Sequence, residues 1–161
     1  MSLFYVGLKT PTGEVNITVG GDSITAYRMP VRTDRRPLHS NDITHLTVDD
    51  YILDKFGWRG RSAGLFVAGD GHGVAFYGDP YIILPRGDFK FVWSPTTNDL
   101  LAVEFHRDTD IEQTLEDLQY TDEDLPTAIK SGHEIMLSCR DYYAIPNSRV
   151  IREIITDLAW R

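Results

Sequence analysis

The chain has 161 residues, of which 42% are hydrophobic, and it carries a formal net charge of −8. That length fits one domain with a core that needs no disulfide or metal, and no apolar run reaches the roughly 20 residues that a membrane-spanning helix requires. The acidic balance disfavours duplex DNA as a partner of the whole domain, because duplex binders present a basic surface.

The first part of the chain predicts three short strands and a loop. Runs of apolar and β-branched residues predict strands at Leu3–Lys9 and Glu14–Val19, and the turn residues of Thr10–Gly13 predict a hairpin between them. A third strand is predicted at Ser23–Met29. The polar stretch Pro30–Asn41 is predicted to be a loop.

The middle of the chain predicts one helix followed by further strands. Apolar residues recur with helical spacing over Thr47–Phe56, where Thr47 is a suitable N-cap and the next residue, a glycine, is a suitable end. Strands are predicted at Gly64–Ala68, Tyr81–Leu84 and Phe89–Trp93. The last two are expected to be joined by a hairpin-like turn.

The last third predicts helices and strands in alternation. Helical spacing appears over Ile111–Leu118, and a second helix is expected to begin near Pro126. Strands are predicted at Glu134–Ser138 and Tyr142–Ile145, whereas Val150–Leu158 fits either a helix or a strand. The fold class indicated is α+β, in a single domain over residues 1–161.

Charge is distributed unevenly along the chain. Eight acids and no Lys or Arg lie between Asp108 and Asp124, and the remaining acids equal the Lys and Arg in number. This run is typical of a solvated helix face, with an acidic surface for a basic partner as the alternative. Arginines are concentrated elsewhere, around the aromatic and glycine-rich segment Phe56–Gly78. They are Arg28, Arg32, Arg35, Arg36, Arg59 and Arg61.

Concentrated arginine in an acidic protein indicates a site for an anionic, planar group, because guanidinium pairs with phosphate and stacks on rings. Neither of the common glycine-rich nucleotide-binding motifs is present. The single cysteine, Cys139, precludes an internal disulfide and is interpreted as a small core residue. The histidines lack metal-binding spacing, so no metal is expected. With no secretion signal at the N-terminus, a cytoplasmic location is predicted.

Several short motifs resemble the ADP-ribosyltransferase family. They are Tyr27-Arg28, then Arg61–Ala68 with Ala75–Gly78, then Glu134–Leu137 with Tyr143–Ile145. Members of that family share an aromatic-Arg or His-Gly motif on an early strand, a central strand followed by a short helix that ends near an aromatic residue, and a Glu that opens a later strand. The pattern also resembles small bacteriophage proteins, which would place the chain in the cytoplasm of an infected bacterium.

The resemblance implies split antiparallel sheets with short helices, and a specific chemistry. A protein of this family cleaves NAD, its substrate, at the nicotinamide–ribose bond and passes ADP-ribose to an acceptor, here a host protein or nucleic acid. By the resemblance, Arg28 would hold phosphate, Phe66 or Tyr77 would flank the nicotinamide, and Glu134 would stabilise positive charge on the ribose as the catalytic residue. Ser62 would support the Glu134 carboxylate with a hydrogen bond. The final segment of the chain would be a strand.

The chain also departs from the family pattern. Gly132 stands where arginine-modifying members have Glu or Gln, and the central strand Leu65–Val67 lacks the Ser-Thr-Ser triplet. These departures argue against arginine modification. They leave two functions open: an NAD-dependent transferase, and a catalytically inactive binding protein that inhibits or sequesters a host defence factor. A small structural domain is a third possibility.

Overall fold

Eight strands and five helices make up the part of the chain that is described. The computed structural model describes residues 3–36, 42–98 and 110–159. The strands are β1 Phe4–Leu8, β2 Glu14–Val19, β3 Asp22–Pro30, β4 Leu65–Val67, β5 Asp79–Arg86, β6 Lys90–Trp93, β7 Ile135–Ser138 and β8 Asp141–Pro146. The helices are α1 Asp42–Phe56, α2 Gly71–Val74, α3 Ile111–Asp117, α4 Leu125–Ser131 and α5 Arg149–Ala159, and a 3-10 turn, Ala75–Tyr77, follows α2.

The strands form two antiparallel sheets. The larger sheet has the order β1-β5-β8-β3-β2, and the smaller has the order β4-β7-β6. Backbone hydrogen bonds of 2.8 and 3.0 Å between Tyr5 and Ala68 join the two sheets where β1 passes the end of β4. The mixed α and β content within one domain agrees with the predicted α+β class.

Three apolar clusters arrange these elements in layers. The inner faces of both sheets pack on each other, with Ile135 and Leu137 of β7 facing Tyr142 and Ala144 of β8 in one cluster. Helices α1 and α3 cover the outer face of the small sheet, where Met136 packs against them. Helix α5 covers the outer face of the large sheet. Consecutive residues of β7 and β8 therefore alternate between two buried layers, which accounts for their continuous apolar sequence.

Both predicted hairpins are wrong, although their strands exist. Strand β1 pairs with β5, and β2 pairs with β3 through a tight turn at Gly20 and Gly21, which have φ of 60° and 90°. Strands β5 and β6 lie in different sheets. Two consecutive glycines with positive φ suit a two-residue hairpin turn, so the local signal lay at Gly20-Gly21 rather than at Thr10–Gly13.

Helix boundaries also differ from those predicted. Helix α1 begins at Asp42, so Thr47 lies inside it and donates a hydrogen bond from its hydroxyl to the Ile43 carbonyl at 2.8 Å instead of capping it. Gly57 follows α1 with φ of 81°, as expected of a terminating glycine. Residues 37–41 of the predicted loop, and Asp108 of the acidic run, lie outside the described residues.

The final segment forms a helix, α5, and Ser148 caps it by accepting a hydrogen bond from the Ile151 amide at 3.2 Å. The strand implied by the family resemblance is therefore wrong for this segment. Helical periodicity prevails because Ile151, Ile154 and Ile155 fall on one face, which packs on the large sheet. Among the described residues, no helix is both long and apolar enough to cross a membrane.

Candidate functional site

A buried carboxylate on α1 organises the loop that precedes β4. Asp49 is only 2% exposed, and it accepts hydrogen bonds from the backbone amides of Arg61 at 2.9 Å and Ser62 at 3.1 Å. The Ser62 hydroxyl donates to it at 2.5 Å, and Arg59 approaches it at 3.4 Å. Burial, the largest influence, acts to raise the pKa of Asp49, but these hydrogen bonds outweigh it and hold that pKa below its ordinary value.

The organised loop directs Arg61 toward the start of β7. An Arg61 guanidinium nitrogen lies 3.5 Å from a carboxylate oxygen of Glu134, and both side chains are more than four-fifths buried. The Arg61 guanidinium carbon is also 4.5 Å from the centre of the Phe66 ring. The register of β4 and β7 explains why Phe66 and Glu134 lie close together, because Val67 pairs with Ile135, the residue after Glu134.

Arg35, in the segment between β3 and α1, lies beside Arg61 and Phe66. Its backbone amide donates to the Ser62 carbonyl at 3.0 Å, and its guanidinium carbon lies 4.7 Å from the centre of the Phe66 ring. We call Arg35, Arg61, Phe66 and Glu134 the Phe66 cluster. Two guanidiniums over one aromatic ring form a pair of cation–π contacts that also brings two like charges together.

The Phe66 cluster carries one more positive charge than negative charge. Burial lowers the pKa of Arg35 below its ordinary value, and the charges of Arg32 and Arg61 add to this effect. The Arg35 guanidinium stays protonated, because the ordinary pKa of arginine lies far above neutral pH. Within the described residues, Arg35 forms no ion pair with a carboxylate. A half-buried cation with this environment favours an anion as its partner.

Arg28 belongs to a separate group around Asp141. It contacts that carboxylate at 3.0 Å, Arg86 contacts both carboxylate oxygens at 3.1 and 3.2 Å, and Arg140 lies at 3.9 Å. The hydrogen bond from Arg28 holds the pKa of Asp141 below its ordinary value. Asp141 follows the end of β7, whereas Glu134 precedes its start, so the strand separates Arg28's partner from Glu134.

The structure brings some of the other predicted site residues together and separates the rest. Phe66 and Glu134 come together through Arg61, as described. Ser62 donates its hydroxyl proton to Asp49, so the predicted hydrogen bond to Glu134 is not formed. Tyr77 lies in the 3-10 turn with its ring 5.5 Å from that of Phe76, packed edge to face, and this turn contacts β1.

Sequence reasoning missed Asp49 and His45, which lie on α1 beneath the cluster. Both are buried, and they are four residues apart on one helical face. The available signal for Asp49 was its position as a polar residue on the apolar face of the predicted helix Thr47–Phe56, whereas His45 lies before the start of that predicted helix. No group of three or more His, Cys, Asp or Glu residues suitable for a metal occurs in the described parts of the chain.

Comparison of the chain with protein-family models, with curated proteins and with solved structures finds no match.

Proposed function

We propose that this protein is a non-catalytic binding protein, and that its Phe66 cluster holds a small, anionic, ring-bearing ligand. The observation that supports this most directly is the pair of guanidiniums, from Arg35 and Arg61, over the Phe66 ring with Glu134 as the cluster's one carboxylate. A phosphate or carboxylate between the two forks would offset their repulsion. The guanidinium planes offer a surface on which a ligand ring can stack.

The same contacts weigh against group transfer. A carboxylate that stabilises an oxocarbenium-like ribose must present its negative charge to the ligand. The Glu134 carboxylate lies instead at 3.5 Å from Arg61, which reduces that charge. Arg28, the expected phosphate ligand, is paired with Asp141.

A binding role corresponds to the inactive alternative drawn from the sequence. Such a protein would inhibit or sequester a host factor by holding a ligand that the factor needs or presents. The net charge of −8 favours a small ligand over a nucleic-acid duplex, since a polyanion would meet long-range repulsion.

Calorimetry with adenosine 5′-monophosphate, ribose 5-phosphate and adenosine tests the proposal, because the three ligands separate the contributions of charge and ring. We expect the monophosphate to bind more tightly than either fragment. Arg35→Gln and Arg61→Gln should each weaken binding by about tenfold or more, the scale of one charge-assisted hydrogen bond. Arg149→Gln is the matched control, since Arg149 is exposed on α5 and its ion pair with Glu153 lies within the same helix.

Glu134→Gln distinguishes binding from catalysis. Removing this carboxylate frees Arg61 for the ligand, so a binding protein should keep its affinity or gain up to about tenfold. No binding of any of the three ligands, or equal binding by wild type and Arg35→Gln, would overturn the proposal.

NAD-dependent ADP-ribosyl transfer is the second candidate, and one observation favours it. Glu134 immediately precedes β7, two residues before Met136, which pairs with Phe66 of β4, so that Glu134 and Phe66 lie toward the same end of these two strands. In this reaction the nicotinamide–ribose bond breaks, nicotinamide leaves with the bonding electrons, and an acceptor nucleophile bonds to the ribose carbon and loses its proton.

Labelled NAD and a bacterial lysate test this second candidate. Label transfer or nicotinamide release that disappears in Glu134→Gln would support the transferase and contradict a purely binding role. Absence of turnover by the folded wild-type protein would exclude it for the acceptors in that lysate.

A further inference from the structure

A buried histidine lies beneath the Phe66 cluster with half of its hydrogen-bonding capacity unused. His45, on α1 one turn before Asp49, is 6% exposed. Its Nδ1 is buried and has no hydrogen-bond partner among the described residues. The Arg35 backbone favours a proton on the ring. Because Nδ1 has no partner, we assign that proton to Nε2, which makes Nδ1 the unprotonated nitrogen of a neutral imidazole. Burying a hydrogen-bond acceptor without a partner lowers the stability of the fold, so its presence here needs a functional explanation.

The charges around His45 belong to the Phe66 cluster and to its support. Arg61, in the loop before β4, repels a proton on the ring. Asp49 and Asp42, both on α1, and the Arg35 backbone favour that proton. Burial is the largest influence, and together with Arg61 it lowers the pKa of His45 below its ordinary value of 6.5. His45 is therefore neutral at pH 7 in the free protein.

We infer that His45 is a proton-linked positioning residue: binding of an anion at the Phe66 cluster is accompanied by uptake of a proton on His45 Nδ1. This inference rests on the proposed binding function and adds its regulation. A bound anion offsets the positive charge of Arg61, so protonation of His45 becomes less unfavourable. By reciprocity, a protonated His45 strengthens the attraction of the cluster for an anion. The cluster consequently binds its ligand more tightly as the medium becomes acidic.

Phenyl sulfate is a suitable probe, because it bears a ring and its charge is constant across the pH range, so that only the protein titrates. Its affinity is measured by calorimetry between about pH 5.5 and 8.5, above the range of ordinary carboxylates. We expect the affinity to rise as the pH falls below 6.5, by at most about tenfold per pH unit for one linked proton. Titration in two buffers of different ionisation enthalpy should show net proton uptake.

His45→Gln retains a donor for the Arg35 backbone and cannot titrate. It should bind phenyl sulfate with an affinity that does not change with pH and without proton uptake. His72→Gln is the matched control, since His72 is exposed on α2, and it should behave as wild type. If His45→Gln fails to fold, NMR titration of the His45 ring in the wild-type protein tests the inference instead. We expect the pKa of His45 to be higher in the presence of phenyl sulfate than in its absence.

The two proposals fail in different ways. Binding that is independent of pH, with no proton uptake by wild type, overturns the role of His45 and leaves the binding function intact. No binding of phenyl sulfate at any pH overturns the role of His45, and it overturns the binding function as well where adenosine 5′-monophosphate also fails to bind. A pH dependence that persists unchanged in folded His45→Gln assigns the proton to another group and overturns the inference.

Discussion

The Ser62 hydroxyl donates a 2.5 Å hydrogen bond to the carboxylate of Asp49, which is buried on α1. This contact and the two backbone amides that donate to the same carboxylate fix the loop before β4 to the helix. The loop in turn sets the position of Arg61 over Phe66 and beside Glu134. The geometry of the Phe66 cluster therefore depends on a carboxylate that need not touch a ligand.

Asp49→Asn tests this dependence. An amide nitrogen would replace one accepting oxygen and face hydrogen-bond donors, so we expect the free energy of unfolding to fall by about 2–4 kcal/mol. Urea denaturation measures the change. The neighbouring Asp50→Asn is the control, because Asp50 is exposed and forms a surface ion pair with Arg59, and a change within about 0.5 kcal/mol is expected. Equal effects of the two substitutions would show that Asp49 does not hold the loop.

His45 predicts a specific dependence of stability on pH. Its pKa is lowered in the folded protein, so between that pKa and 6.5 the unfolded chain binds the proton more readily. The stability contributed by neutral His45 is thus fully present above pH 6.5 and declines as the pH falls below it. Asp49 affects stability at lower pH, because its pKa in the folded protein is below the ordinary value of 3.8. The stability contributed by its carboxylate is fully present above pH 3.8 and is lost as the pH falls through the pKa of the folded protein.

Urea denaturation between pH 5 and 7.5 isolates the His45 contribution. Wild type should lose stability toward pH 5, and His45→Gln should lose less over the same interval. If both proteins show the same slope, the lowered pKa of His45 is contradicted. His72→Gln, which changes an exposed ring, should retain the wild-type slope.

The strands were predictable because their side chains follow a local rule. Tyr142 and Ala144 face one buried layer while Tyr143 and Ile145 face another, so β8 is apolar throughout and reads as a strand. Pairing does not follow from such a rule. Strand β5 joins β1 and β8 rather than its sequence neighbour β6, and only packing between distant segments decides that.

The candidate site was predictable only in its residue types. Concentrated arginine indicated an anion site, and the family resemblance singled out Phe66 and Glu134. The contact between Arg61 and Glu134 spans 73 residues of sequence, so no local pattern reveals it. Asp49 and its exposed neighbour Asp50 are the same residue type, and their roles differ because only Asp49 lies on the buried face of α1.

Gly69 is expected to tolerate no side chain. A Cβ at this position would overlap the backbone carbonyl of Ile129 in α4, and a backbone group cannot move aside as a side chain can. We expect Gly69→Ala to lower the free energy of unfolding by about 2–3 kcal/mol. Gly73→Ala is the matched control, because the nearest atoms to its Cβ lie at 3.9 Å and it is helical. That variant should be neutral or up to about 1 kcal/mol more stable, and equal thermal denaturation of both variants would contradict the packing at Gly69.

Cys139 provides a test of the interior around the start of β8. Burial raises the pKa of its thiol to about 11, so at pH 8 only about one molecule in a thousand carries the reactive thiolate. The greater intrinsic nucleophilicity of a high-pKa thiolate recovers part of this deficit. We therefore expect iodoacetamide to modify the native protein at least about tenfold more slowly than the urea-unfolded chain, as followed by mass spectrometry. Native labelling as fast as that of the unfolded chain would mean that Cys139 is not packed against the core, and would reopen a nucleophilic role for it.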